Sequence, residues 1–241
     1  MTNIDQAMVL AAGLGTRMRP ITNSIPKPLV KVDGKTLLDH ALDSLVLAQV
    51  QKAAVNVHYL ADHIEDHIKS RTQPEILISD ERAKLLDSGG GVKKAIAPLN
   101  KSPFIILNAD SFWVDADQSN LIAMQSNWNA DHMDMQLLVA EKEKSVGFDG
   151  KGDFFMSQEG QLTRRGERET APYVYAGAII TKPALFDAIS EDVFSLNRLF
   201  DDAIANGRLY GHVLDGLWLH VGTPSAIGEA ENAIDEFRQN S

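Results

Sequence analysis

Two glycines and two arginines stand directly behind the first apolar run, in Leu10-Ala11-Ala12-Gly13-Leu14-Gly15-Thr16-Arg17-Met18-Arg19-Pro20. Glycines at such a place let the backbone turn tightly and leave amide N–H groups open to an anion. Arg17 and Arg19 add fixed charge in the forked form that suits phosphate oxygens. Ten residues beyond Arg17 comes Lys27, between Pro26 and Pro28. A following proline favours extended backbone, so a mobile loop presenting one ammonium as a second phosphate clamp is expected. The chemistry these residues serve is the holding of phosphates. Neither common fingerprint is complete. The third glycine and the later acidic residue of the dinucleotide pattern are missing, and no Gly-Lys-Ser/Thr closes a P-loop.

Three further groups invite chemistry. Gly89-Gly90-Gly91 precedes Lys93 and Lys94; three residues without side chains either seat a flat ring or form a flexible helix start. Asp110 follows an apolar run at 104–107, where an open α/β sheet exposes its ligand-binding groups. A carboxylate there suits Mg²⁺, or caps the next turn. His63 and His67 share a helix face at zinc spacing, but no third ligand is placed, and Glu65, Asp66 and Lys69 make that face read as solvated.

The elements that must position these groups alternate along the chain. Residues 7–11 read as a strand buried on both faces, and 35–49 as an amphipathic helix with Leu38, Leu42 and Leu45 on one side. A strand at 53–57, a helix at 60–69 and a strand at 75–79 follow. A short helix then runs toward Pro98, before a strand at 104–107. This rhythm predicts an α/β fold with a mostly parallel sheet and helices on both sides. The second half is less regular. Strands are expected at 135–141 and 173–181, loops and short hairpins at 146–168, and a capped helix at 195–206. Strands at 208–214 and 217–221 are expected to join through the hairpin dipeptide Asp215-Gly216, and a closing helix follows Pro224.

The 241 residues suit one domain, and no linker or repeat divides them. A net charge of −10 lacks the footprint of a nucleic-acid binder, and Trp113, Trp128 and Trp218 show no regular spacing for a stacking platform. The absence of cysteine excludes disulfides, thiolate zinc sites and cysteine nucleophiles. No apolar run approaches the roughly 18 residues of a spanning helix, and the N-terminus lacks the basic region of a secretion signal. No membrane partner and a cytoplasmic location are expected.

The stretch at 10–40, L-A-A-G-L-G-T-R-M-R-P-I-T-N-S-I-P-K-P-L-V-K-V-D-G-K-T-L-L-D-H, resembles the sugar-phosphate nucleotidyltransferases. Their signature runs A-A-G-x-G-T-R-x-x-P-x-T, then P-K-P-L, then V-x-G-x-P-L, with Thr36 here in place of the last proline. The likeness continues through L-L-D-S-G-G-G at 85–91, L-N-A-D at 107–110 and W-L-H-V-G-T-P at 218–224. It implies a Rossmann-like (GT-A-like) fold with a mixed, mostly parallel sheet in three α/β/α layers. It also implies a nucleotide-binding half over about 1–115 and a sugar-binding half over about 116–241, without a C-terminal β-helix. The implied reaction joins a sugar 1-phosphate to a nucleoside triphosphate and releases pyrophosphate, in a monomer or small homo-oligomer.

By the same resemblance, Ala11, Ala12, Gly13, Gly15, Thr16, Arg17, Lys27, Gly89 and Gly90 would bind the nucleotide. Arg17, Lys27 and Asp110 would be catalytic. Asn108, Arg164, Tyr175 and Gly177 would meet the sugar, although Arg164 and Arg165 also read as surface charge. Asp110 would ligate Mg²⁺, with Mn²⁺ as the alternative ion. His220 stands where the family has a second metal-binding Asp. That leaves a one-carboxylate Mg²⁺ site completed by water and phosphates, a different preferred metal, or a degenerate site in a binding regulator. Asp215 is a candidate to compensate. The segment N-V-H-Y-L at 56–60, with I-E-D-H at 64–67, is similar to the compact uridylyltransferases acting on N-acetylmuramic acid 1-phosphate in peptidoglycan recycling. Mannose-1-phosphate guanylyltransferases and glucose-1-phosphate uridylyl- or thymidylyltransferases are the alternatives.

Overall fold

The computed structural model describes residues 4–240; residues 1–3 and Ser241, part of the N-terminal and one-domain expectations, lie outside the described residues. The first strand, β1 (Gln6–Leu10), is buried along nearly its whole length, as an apolar run in the middle of a sheet requires. Two-residue strands β2 (Lys31–Val32) and β3 (Lys35–Thr36) precede α1 (Leu37–Leu47). That helix starts later than its periodicity predicts because Lys35 and Thr36 pair back onto Val32 and Lys31. Thr36 then caps it, its hydroxyl accepting from the Asp39 N–H.

The first half continues with β4 (Lys52–Val57), α2 (Ala61–Ile68), β5 (Glu75–Asp80), α3 (Asp87–Ala95) and β6 (Phe104–Asn108). Next come β7 (Ser111–Asp115), α4 (Asn120–Asn127) and β8 (Met135–Glu141), then the short pair β9 (Phe154–Met156) and β10 (Leu162–Arg164). The chain ends with β11 (Tyr173–Thr181), α5 (Ala184–Asp187), α6 (Leu196–Ala205), β12 (Leu209–Val213), β13 (Gly216–His220) and α7 (Ser225–Asn240).

The main sheet runs β10-β9-β11-β6-β1-β4-β5, with β8 beside β11 and β12 beside β8. Strands β6, β1, β4 and β5 are parallel, β11 runs antiparallel to β6 and β8, and β12 is parallel to β8. Helices cover both faces. Leu38 and Leu42 of α1, Ile64 of α2 and Met124 of α4 pack on Val9, Val55 and Leu107. Val92 of α3 and Leu199 and Phe200 of α6 pack on Met8, Ile106 and Ile179. A third core joins Met18 to Phe112 of β7, Leu219 of β13 and Ile234 of α7.

From β1 the chain passes to β4 and β5 on one side, then crosses to β6 on the other. A crevice therefore opens beyond the carboxyl ends of β1 and β6, where doubly wound sheets bind ligands. The expected hairpin at Asp215-Gly216 does not form. Strand β12 pairs with β8, while β13 pairs with β7 in a separate sheet. Gly216 is glycine because β7 passes so close that a Cβ would lie 2.1 Å from the Val114 carbonyl oxygen.

Candidate active site

Beyond Leu10 the chain enters a tight loop and the 3-10 turn Thr16–Met18. Gly15 is left-handed, with φ 61°, and a Cβ there would sit 2.9 Å from Lys27 Cβ. The same glycine thus permits the turn and the close approach of the lysine segment. The Thr22 hydroxyl donates to the Gly15 carbonyl at 2.8 Å and closes the loop from below. None of the backbone N–H groups of Gly13, Leu14, Gly15 and Thr16 donates to another described residue. Neighbouring amides left open in this way form an anion nest. The loop lines a cavity of about 510 Å³, shared with Lys27, Asn56, Glu81, Asn108, Asp110 and Gly222.

Lys27 is 8% exposed and begins a 3-10 turn, Lys27–Leu29, instead of the extended backbone expected before Pro28. That turn tolerates the proline because its bonds come from other residues: the Leu29 N–H donates to Pro26 and the Val30 N–H to Lys27. Lys27 Nζ lies 3.1 Å from Asp110 Oδ2, which binds the loop after β1 to the turn after β6. The exposed Arg17 and the His220 imidazole flank Gly222. A Cβ on that glycine would lie 2.8 Å from His220 Nε2 and 3.3 Å from Arg17 Nη1. Burial pushes the His220 imidazole below its usual value; the Asp110 carboxylate opposes this, and Lys27 and Arg17 reinforce it. His220 is accordingly neutral at neutral pH.

The Asp110 carboxylate lies within electrostatic reach of the His220 imidazole, and no group of three or more such metal-donor side chains is gathered among the described residues. That set does not form a protein cage. It fits an ion such as Mg²⁺, which keeps several waters and is held by one or two carboxylates plus phosphates. Asp215 does not compensate for His220. Asp215 immediately precedes β13 and His220 ends it, about 16 Å apart at ordinary strand rise.

Asn108 lines the cavity from the end of β6. Gly177, at φ 94°, lets β11 press against it: a Cβ would lie 2.6 Å from Ser111 Oγ and 3.4 Å from Asn108 Cβ. The Tyr175 hydroxyl is buried without a hydrogen-bond partner among the described residues. Burial first, and then the Asp110 charge, push that phenol upward.

The structure places several of the singled-out residues away from the cavity lining. Gly89 and Gly90 lie inside α3, not before it, and are buried outside the cavity lining. Their amides already donate to the Phe194 carbonyl at 2.8 and 3.1 Å, and a Cβ on Gly89 would lie 2.4 Å from the Phe194 ring. Asp87 and Ser88 line the cavity in their place. Arg164 does not reach the cavity either. It pairs with Asp201 at 2.8 Å, and its guanidinium lies over the rings of Phe154 and Phe200. Arg165 bonds to the carbonyls of Gly152 and Arg168. His67 is engaged by Asp39 at 3.0 Å, and Lys93 and Lys94 reach the carbonyls of Ile189 and Asp80. Two cavity residues, Asn56 and Glu81, escape sequence reasoning as site residues. Asn56 is signalled by polarity near the end of β4 and by its place in the N-V-H-Y-L segment, and Glu81 by a charge directly after β5.

The family model for nucleotidyl transferases matches residues 6–151. N-acetylmuramate alpha-1-phosphate uridylyltransferase of Caulobacter vibrioides is 45% identical over 95% of this chain and 97% of its own. The enzyme of that name from Neisseria meningitidis serogroup B is 31% identical over 94% of this chain and 96% of its own. Among solved structures, HddC from Yersinia pseudotuberculosis complexed with GMP-PN superposes with a TM-score of 0.75 at 22% identity. The match covers 96% of this chain and 100% of that one, and it shows the shared fold. An open amide loop, a lysine locked to a carboxylate across the crevice and sequence identity along nearly the whole length converge: the chain belongs to the nucleotidyl transferase family.

Proposed function

We propose that the chain, as a single catalytic unit, transfers a uridylyl group from UTP to N-acetylmuramic acid 1-phosphate and releases pyrophosphate. The observation that carries the reading is the loop of unpartnered amides at Gly13, Leu14, Gly15 and Thr16, beside Arg17 and the Lys27–Asp110 pair. In the reaction, a phosphate oxygen of the sugar 1-phosphate attacks the α-phosphorus, and the bond to the bridging oxygen of pyrophosphate breaks. No side-chain base is needed, because a phosphate monoester is largely dianionic near neutral pH. Positioning and charge neutralisation carry the step. The amides and Arg17 hold the triphosphate, Lys27 neutralises charge at the α-phosphate, and Asp110 fixes the direction of the lysine. Asp110, with His220 nearby, would hold Mg²⁺ or Mn²⁺, which supplies further charge neutralisation on the phosphate oxygens.

Asn108, which lines the cavity, is taken to meet the sugar, together with Gly177, which packs against it, and Tyr175, which feels the Asp110 charge. The uridylyl and muramyl specificities rest on the two named relatives and on the segment at 56–67. These specificities support a role in peptidoglycan recycling, and a need for UTP supports a cytoplasmic location. No helix among the described residues is long and apolar enough to cross a membrane. The test is pyrophosphate release from a matrix of nucleoside triphosphates and sugar 1-phosphates with Mg²⁺ or Mn²⁺. UTP with N-acetylmuramic acid 1-phosphate should be the best pair. GTP with mannose 1-phosphate alone would overturn the substrate, and nucleotide binding without release from any pair would point to a regulator.

A further inference from the structure

Asn56 and Glu81 form a buried polar chain in the cavity wall that no step above uses. The Ala11 N–H, at the start of the phosphate loop, donates to Asn56 Oδ1 at 2.7 Å. Asn56 Nδ2 donates to Glu81 Oε1 at 2.7 Å, and Glu81 Oε2 accepts from the Leu86 N–H at 3.1 Å. Asn56 and Glu81 are 2% and 1% exposed, so water does not stand in for a lost partner. Gly91 leaves room for the chain: a Cβ there would lie 2.8 Å from both Asn56 Nδ2 and Glu81 Oε1. Donors and acceptors alternate without a choice. The Ala11 amide fixes which end of Asn56 is oxygen, and Glu81 must offer acceptors on both sides.

We propose that Asn56 and Glu81 are positioning residues that set the phosphate loop in register with the opposite wall at 85–88. The inference rests on the reading that this loop holds a nucleoside triphosphate. Glu81→Gln forces its amide against either the Asn56 NH₂ or the Leu86 N–H, a donor facing a donor. Asn56→Asp sets two carboxylates face to face. The double variant Asn56→Asp/Glu81→Gln restores the alternation. Its carboxylate at position 56 accepts from the Ala11 N–H and from the amide NH₂ at position 81, and the amide oxygen at position 81 accepts from the Leu86 N–H.

The test is initial-rate kinetics of each variant with the triphosphate and sugar 1-phosphate that the natural chain turns over. Each single variant should raise KM for the triphosphate by about tenfold or more with a smaller change in kcat, and the double variant should return it to within about threefold. A folded Glu81→Gln with unchanged KM overturns the proposal. Should the single variants not fold, the double variant decides alone: folded with near-natural KM supports the relay, and folded with KM raised about tenfold or more overturns it. An absence of pyrophosphate release from the natural chain would instead strike the functional reading. The relay would then be judged by the affinity of the same variants for the triphosphate alone.

Discussion

Lys27 and Asp110 come from distant parts of the chain, yet each has its strongest polar partner in the other, at 3.1 Å. The ammonium is nearly buried while the carboxylate is 40% exposed in its side chain, so the lysine is held in the crevice wall and the carboxylate is the more open member of the pair. Lys27→Ala should lower the rate of pyrophosphate release by about 10²–10³-fold, the size seen when a preorganised charge-stabilising donor is lost. Thermal melting should show the variant folded, so the loss belongs to chemistry. His220 supplies the other prediction at this scale. An imidazole suits Mn²⁺ better than Mg²⁺, and a carboxylate reverses that preference. His220→Asp should keep or raise turnover with Mg²⁺ and lower the ratio of Mn²⁺ to Mg²⁺ activity. Complete loss in a folded variant would show that the imidazole has a role of its own.

Among elements, the loop after β1 depends on one backbone conformation. Gly15→Ala puts a Cβ on a left-handed residue 2.9 Å from Lys27 Cβ. The variant should lose about 1–2 kcal/mol of stability from the backbone alone and should also raise KM for the triphosphate, because Lys27 must shift. Denaturant unfolding and initial rates check the two effects separately. This loop was legible because its signals are local: glycines after an apolar strand, then prolines around one lysine. Elements defined by distant partners were not. Gly89 and Gly90 read as a ring seat or a flexible helix start; they lie in the first turns of α3, where the Phe194 carbonyl from the second half of the chain takes both amides. Asp215-Gly216 reads as a hairpin turn, but β13 finds β7 as its partner. Arg164 reads equally as a sugar contact or as surface charge, and only its distant partners, Asp201 and two phenylalanine rings, show where it is engaged. The alternation of the first half emerged nearly as patterned because each parallel strand is a short apolar run with a helix next to it.

At the scale of the molecule, the crossing from β5 to β6 on the far side of β1 creates the crevice, and the third core under Met18 and Leu219 holds its outer wall. His40 of α1 belongs to that wall. It stacks on Phe112 at 4.0 Å and its Nε2 lies 3.0 Å from the Val32 carbonyl. Burial pushes His40, His212 and His220 below the usual histidine value. For His40 the Val32 carbonyl, Asp33 and Asp43 oppose that shift and Lys35 adds to it. Below about pH 6.5 the unfolded chain therefore binds more protons than the folded one. The stabilisation is full above that pH and is lost as the pH falls through the folded values. The melting temperature should hold above about pH 6.5 and drop as the pH is lowered below it, and His40→Gln should show a shallower drop from a lower start. The account as a whole stands on where the triphosphate lies, and a crystal structure with an unreactive UTP analogue reads that directly. Phosphate oxygens within hydrogen-bond distance of the Gly13, Gly15 and Thr16 amides, and of Arg17, are predicted. A triphosphate bound elsewhere, with those amides turned to solvent, would contradict it.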